Sequence, residues 1–121
     1  MRIVLVHPAG SNWVPGRKDI TATANRMAPL GLLSIAACLE RAGHEVFVHD
    51  CLGPRAIDGM QENVRLLLKH SPDLVGFSAT TSGFPDAWDM AKAVKEARHD
   101  IITVFGGVHV SALGELLLER F

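Results

Sequence analysis

"PLGLLSIAACLERAGHEVFVHD", residues 29–50, holds both of the periodicities on which the fold is read. In its first half Leu32, Ile35, Ala36 and Leu39 recur at the spacing of a helix with one apolar face. Gly43 follows, where a glycine in the left-handed conformation ends a helix. From Glu45 the pattern changes to the β-branched and aromatic run "EVFVHD" (45–50), which reads as a strand. A helix that feeds directly into a strand is half of a βαβ unit.

The same alternation extends in both directions. Upstream, "RIVLV" (2–6) is a continuous apolar run suited to a strand buried on both faces. Downstream, Ile57, Met60, Val64 and Leu67 stripe a second helix that closes at "SPD" (71–73), and "LVGFSA" (74–79) is a third strand. Ala87, Met90, Val94 and Ala97 mark a third helix, and "IITVFGG" (101–107) a fourth strand running into "VHVSALGELLLERF". The order βαβαβαβα predicts a Rossmann-like three-layer α/β/α domain with a parallel sheet of at least four strands. The short first unit favours the flavodoxin-like arrangement, in which the first strand is central.

Bulk properties agree and exclude several classes. The 121 residues suit one domain, 1–121, with 48% apolar residues, 21% charged residues and a net charge of −1. No apolar run approaches the ~20 residues of a membrane span, and the N-terminus carries no signal-peptide pattern. Neither the net charge nor any Lys/Arg cluster supports nucleic-acid binding. Cys38 and Cys51 form no CxxC pair and read as buried thiols of a cytoplasmic protein. "SALGELLLERF" stops inside a helical pattern without a polar tail, so the expectation is the N-terminal part of a longer protein.

Candidate binding residues gather at the carboxyl ends of the strands, the edge at which open α/β sheets bind ligands. His7 and Pro8 follow the first strand, His49 and Asp50 end the second, "SATTSGF" (78–84) follows the third and "GGVHVS" (106–111) the fourth. The hydroxyls of Ser78, Thr80, Thr81 and Ser82 suit a polar ligand edge. Gly106 and Gly107 remove side chains where a flat group or a neighbouring backbone comes close. Plainer roles exist for each: Ser111 as a helix cap, the glycine pair as a tight turn, His109 as a surface residue. The connection from His7 to Ala28 is longer than the ~2–6 residues usual for such loops. It carries Trp13 and Met27, which favours a role in binding.

The chain lacks GxGxxG after the first strand, GxxxxGK[ST], GxSxG and any zinc-ligand spacing. It therefore reads as a binding domain with no catalytic residue and no metal ligand of its own. A cofactor-free α/β domain for packing or substrate recognition, and a nucleotide- or flavin-binding domain, remain alternatives at the same edge.

In the series "PLGLLSIAACLERAGHEV" (29–46), "DLVGFSATT" (73–81) and "VFGGVHVSA" (104–112), the chain resembles the N-terminal cobalamin-binding domain of cobalamin-dependent radical S-adenosylmethionine enzymes. The likeness covers nearly the whole chain. It implies cobalamin at the carboxyl edge, with the nucleotide tail and its dimethylbenzimidazole base inserted between sheet and helices. The cofactor-binding positions it implies are Pro29, Leu30 and Gly31 near the corrin, and Ser78, Ala79, Thr80, Thr81, Phe84, Gly106, Gly107 and His109 around the tail. The DxHxxG of cobalamin methyltransferases and mutases, whose histidine ligates cobalt, is missing after the first strand. His7, His49 and His109 stay open as axial ligands. The CxxxCxxC of a [4Fe–4S] cluster is also missing. The resemblance thus places the cluster, S-adenosylmethionine and the radical chemistry in a C-terminal domain that partners this one.

Overall fold

The computed structural model describes residues 1–10, 28–53, 55–57 and 59–120. Within them lie β1 (Arg2–His7), α1 (Leu30–Arg41), β2 (Glu45–Asp50), α2 (Met60–Leu68), β3 (Leu74–Ser78), α3 (Phe84–Ala97), β4 (Ile102–Gly106) and α4 (Val108–Arg120). The long connection after β1, with Trp13 and Met27, falls mostly outside the described residues.

All strand pairs are parallel and the strand order is β2-β1-β3-β4, so β1 is central as the flavodoxin-like reading requires. The chain steps from β1 to one side to form β2, then crosses β1 to form β3 and β4. Right-handed crossovers in opposite directions put their helices on opposite faces. Accordingly α1 covers one face, where Leu32 and Ala36 pack on Ile3 and Leu5. Helices α2 and α3 cover the other, where Val64, Leu67, Ala87, Met90 and Val94 enclose Val4, Val6, Val75 and Phe77. Val4, Val6 and Val75 are fully buried, as expected of strands packed on both sides.

The two faces are unequally covered. Ile102 and Val104 of β4 point away from α2 and α3, and they stay 51% and 47% exposed because α1 reaches only β1 and β2. Helix α4 does not cover them: its Val110 and Leu117 pack on the α2/α3 side. Among the described residues, the continuous apolar run of the fourth strand is therefore covered on one side. Three smaller expectations also change. Ile35 is 51% exposed, since at about 100° per residue it falls beside the Leu32–Ala36–Leu39 line. Cys38 is exposed on the outer side of α1, while Cys51 is buried as expected. Ile57 precedes α2 and lies outside its stripe.

Gly43 ends α1 with φ +88°, its N–H donating to Glu40 O at 2.9 Å while His44 N–H returns to Leu39 O at 3.1 Å. The glycine pair after β4 divides into two roles. Gly107 has φ +102°, and a Cβ there would lie 2.6 Å from Ala79 O and 3.0 Å from Ala79 N. Gly106 has no atom within 4 Å of a Cβ built on it. Adding one methyl should therefore separate the two positions. Gly107→Ala is expected to lose about 2–4 kcal/mol through left-handed strain and backbone overlap. Gly106→Ala should stay within about 0.5 kcal/mol of the parent chain. Urea unfolding followed by circular dichroism reads both, and equal midpoints would contradict the assignment.

Candidate functional site

Parallel pairing brings the four carboxyl ends level. His7 pairs with Asp50, Ser78 pairs with Gly106, and His7 stands one step past the Val6–Phe77 pair. Side chains alternate along a strand, so Asp50, His7, Ser78 and Gly106 form one row across the sheet, on the face that carries α1. The next row down on that face is Val48, Leu5, Gly76 and Val104. A Cβ on Gly76 would meet Leu5 Cδ2 at 3.0 Å, so the leucine already leans over this glycine. Over β3 and β4 the result is a trough. Exposed Gly106 forms its floor, Val104 and Ile102 its apolar bed, and Ser78 its rim, while Gly76 is buried under Leu5 beside it. No helix among the described residues covers Val104 or Ile102.

The polar atoms around the trough are unequally committed. Ser78 Oγ makes no hydrogen bond among the described residues. Thr80 Oγ1 accepts the Gly83 N–H at 3.2 Å and lies 3.1 Å from Ser82 Oγ, while Thr80 O accepts the Phe84 N–H at 3.0 Å. Thr80 therefore shapes the entry into α3. Thr81 Oγ1 is bonded to His109 Nδ1 at 3.2 Å. Ala79 is buried and ties the edge together: its N–H donates to Gly106 O at 2.9 Å and its carbonyl accepts the His109 N–H at 3.5 Å. Ser111 lies inside α4, its N–H donating to Gly107 O, and caps nothing.

The structure does not bring all eleven implied positions to the trough. Ser78 and Gly106 face it. Ala79, Thr80 and Gly107 build the backbone beside it. Phe84 and His109 lie on the opposite face, where Phe84 packs 5.8 Å from Phe105 and 4.7 Å from the His109 ring, next to Phe77 and Trp88. Pro29 is half-buried before α1, with Leu30 68% exposed and Gly31 open to solvent at the helix start. The concavities of about 330 Å³ beside His49 and Asn63, and about 360 Å³ between Phe84 and Leu116, are both separate from the trough.

One pairing was not legible in the sequence. His7 Nδ1 donates to Asp50 Oδ1 at 2.9 Å, across 43 positions of chain, and the Leu52 N–H donates to the same oxygen at 3.0 Å. Only strand register makes these residues neighbours. His49, one residue earlier on β2, faces the other way. Its Nε2 donates to Asn63 Oδ1 at 2.8 Å, and the buried Asn63 amide donates in turn to Ile57 O and Gly59 O. His49 and Asn63 thus fasten the β2–α2 loop. No group of three or more His, Cys, Asp or Glu able to hold a metal ion occurs among the described residues.

An open trough with a glycine floor at a flavodoxin-like carboxyl edge narrows the ligand to something with a flat part and a polar rim. Comparison with known proteins decides the family: residues 16–120 match the B12 binding domain. This chain belongs to the B12-binding domain family. Among the relatives, an uncharacterized methyltransferase from Pyrococcus horikoshii is 32% identical over 99% of this chain and 24% of its own length. The hopanoid C-3 methylase of Methylococcus capsulatus is 29% identical over 99% of the chain and 21% of its own length. The anaerobic magnesium-protoporphyrin IX monomethyl ester cyclase of Synechocystis is 33% identical over 89% of the chain and 21% of its own length. This B12-binding domain spans about a fifth to a quarter of those relatives. Membership favours cobalamin over the cofactor-free and the nucleotide- or flavin-binding alternatives. No helix among the described residues is long and apolar enough to cross a membrane.

The cysteines of the B12-binding domain differ sharply in environment. Burial, reinforced by the negative charges of Asp50 and Asp86, pushes the Cys51 thiol up to about 12, whereas Cys38 is exposed. The thiolate is the reactive form. Native alkylation with iodoacetamide at pH 8 is therefore expected to modify Cys38 and spare Cys51, with both labelled in urea. Peptide mass spectrometry reads the outcome, and labelling of Cys51 in the native chain would contradict its burial.

Proposed function

We propose that this domain holds cobalamin for a larger radical S-adenosylmethionine enzyme of the cytoplasm. In that enzyme a separate C-terminal domain would carry the [4Fe–4S] cluster, S-adenosylmethionine and the substrate. The observation that carries the reading is the uncovered trough over β3 and β4, in a chain of the B12-binding family. The donor set fits the group. A flat dimethylbenzimidazole base requires a surface free of Cβ atoms, which Gly106 supplies, and apolar contact, which Val104 and Ile102 supply. Covering the exposed halves of these two side chains is worth about 1 kcal/mol each.

When bound, the cobalt of the cofactor supplies the capacity to carry a methyl group or to assist a radical rearrangement, which protein side chains lack. The work of this chain is holding and orienting. Ser78 Oγ offers a hydrogen bond at the trough rim. Ala79 and Gly107 lock β3 to β4 backbone to backbone, so the floor keeps its shape without a ligand. Pro29, Leu30 and Gly31 present a small, partly apolar helix start towards the corrin. Thr80, Thr81, Phe84 and His109 support the β3–α3 and β4–α4 turns from behind. Methyl transfer is the favoured parent reaction, because two relatives are named as a methyltransferase and a methylase.

Gly106→Val tests the reading directly. The purified chain is mixed with hydroxocobalamin and desalted, and the visible spectrum is recorded. The parent chain is expected to keep corrin absorbance, while Gly106→Val should bind about tenfold more weakly or worse. Its unfolding midpoint should hardly move, since open space surrounds that Cβ. Loss of absorbance in the parent chain, or equal retention by the variant, would overturn the proposal.

A further inference from the structure

Three histidines stand at the carboxyl ends of strands or the helix start beside them, and the structure separates them. His49 lies on the α2/α3 face with Nε2 engaged by Asn63 Oδ1. His109 lies on that face too, bonded to Thr81 and packed 4.7 Å from the Phe84 ring. His7 is on the trough face, in the same row as Ser78 and Gly106 and one strand from Ser78. Its side chain and that of Asp50 are 23% and 24% exposed, so the pair is sheltered yet reachable. Asp50 is itself fixed by the Leu52 N–H, which fixes the plane of the imidazole. Nε2 of His7 makes no hydrogen bond among the described residues.

Charge defines what this nitrogen is suited to meet. The nucleotide tail of cobalamin is anionic at its phosphodiester, and the trough is otherwise glycine, hydroxyl and hydrocarbon. Among the described residues no arginine or lysine lies on the trough: Arg2 is at the start of β1, Arg41 at the end of α1, and the rest on α2 and α3 with their C-terminal caps or on α4, while Arg55 lines the concavity beside His49 that Asp50 also lines. In the row that ends the sheet, His7 is the one group able to carry positive charge. With Asp50 on Nδ1 and a phosphodiester on Nε2, an imidazolium would stand between two anions, each joined to it by a charge-assisted hydrogen bond.

We infer that His7 is a recognition residue for the phosphodiester of the cofactor's nucleotide tail, donating from Nε2, and that Asp50 is its positioning residue. The inference rests on the cobalamin reading above and adds to it the group by which the tail is told from a tailless corrinoid. It also separates His7 from cobalt ligation, for which the corrin itself would be the target.

The test compares cobalamin with cobinamide, which has the same corrin and cobalt but no nucleotide tail. Affinities are measured by absorbance titration for the parent chain, His7→Gln and Asp50→Asn, with unfolding midpoints as the control for folding. His7→Gln is expected to weaken cobalamin about tenfold or more and to leave cobinamide unchanged. Asp50→Asn should weaken cobalamin in the same direction but less, again sparing cobinamide. The selectivity ratio is the readout that a merely structural role would not move. Equal weakening of both corrinoids, no weakening of either, or a change in the cobalt-sensitive bands on His7→Gln would overturn the inference and leave the cobalamin reading standing. Failure of the parent chain to bind either corrinoid would overturn both.

Discussion

The pairing of β1 on both sides is the constraint on which the rest of this molecule depends. Because β1 lies between β2 and β3, the chain must leave it in one direction and later cross it in the other. Handedness then fixes α1 on one face and α2 and α3 on the opposite one. The same register places His7 level with Asp50 and brings Ser78 and Gly106 into line with them. A slip of one residue would turn Val4 and Val6, both fully buried, towards α1 and send the polar row to the other face. Hydrophobic burial near the middle of the sheet thus determines where polar groups stand at its end.

The second determinant is incomplete covering. Helix α1 packs on β1 and β2 through Leu32 and Ala36, whereas no helix among the described residues lies against Ile102 and Val104 of β4. An exposed apolar strip of this kind is a site waiting for a cover. Its neighbourhood is opened for close approach by Gly106 and is braced by the contact between Gly107 and Ala79. Rigidity and openness therefore sit side by side, which suits a domain that must hold a large cofactor without reorganising around it.

Much of this was legible from residue order alone. The switch from helical to strand periodicity at Gly43, repeated along the chain, gave the α/β class, because burial on both faces leaves continuous apolar runs. What sequence could not give was anything set by long-range register. "GG" at 106–107 reads as one motif, yet one glycine serves the backbone and the other faces open space. Phe84 and His109 look like edge residues in one dimension but pack together on the far face. His7 and Asp50 are 43 positions apart, and no local pattern joins them. Ile35 and Cys38 are exposed for a simpler reason: Ile35 lies at the edge of the stripe that packs on the sheet, and Cys38 lies on the outer side of α1.

The central claim is that cobalamin occupies the trough on the α1 face of β3 and β4. The most direct measurement is a titration of the isotopically labelled chain with cobalamin, followed residue by residue through its backbone amide resonances. The account predicts the largest shifts at Ser78, Ile102, Val104 and Gly106, with the outer surfaces of α2 and α3 unmoved. Shifts centred instead on the concavity by His49 and Asn63, or between α3 and α4, would contradict it.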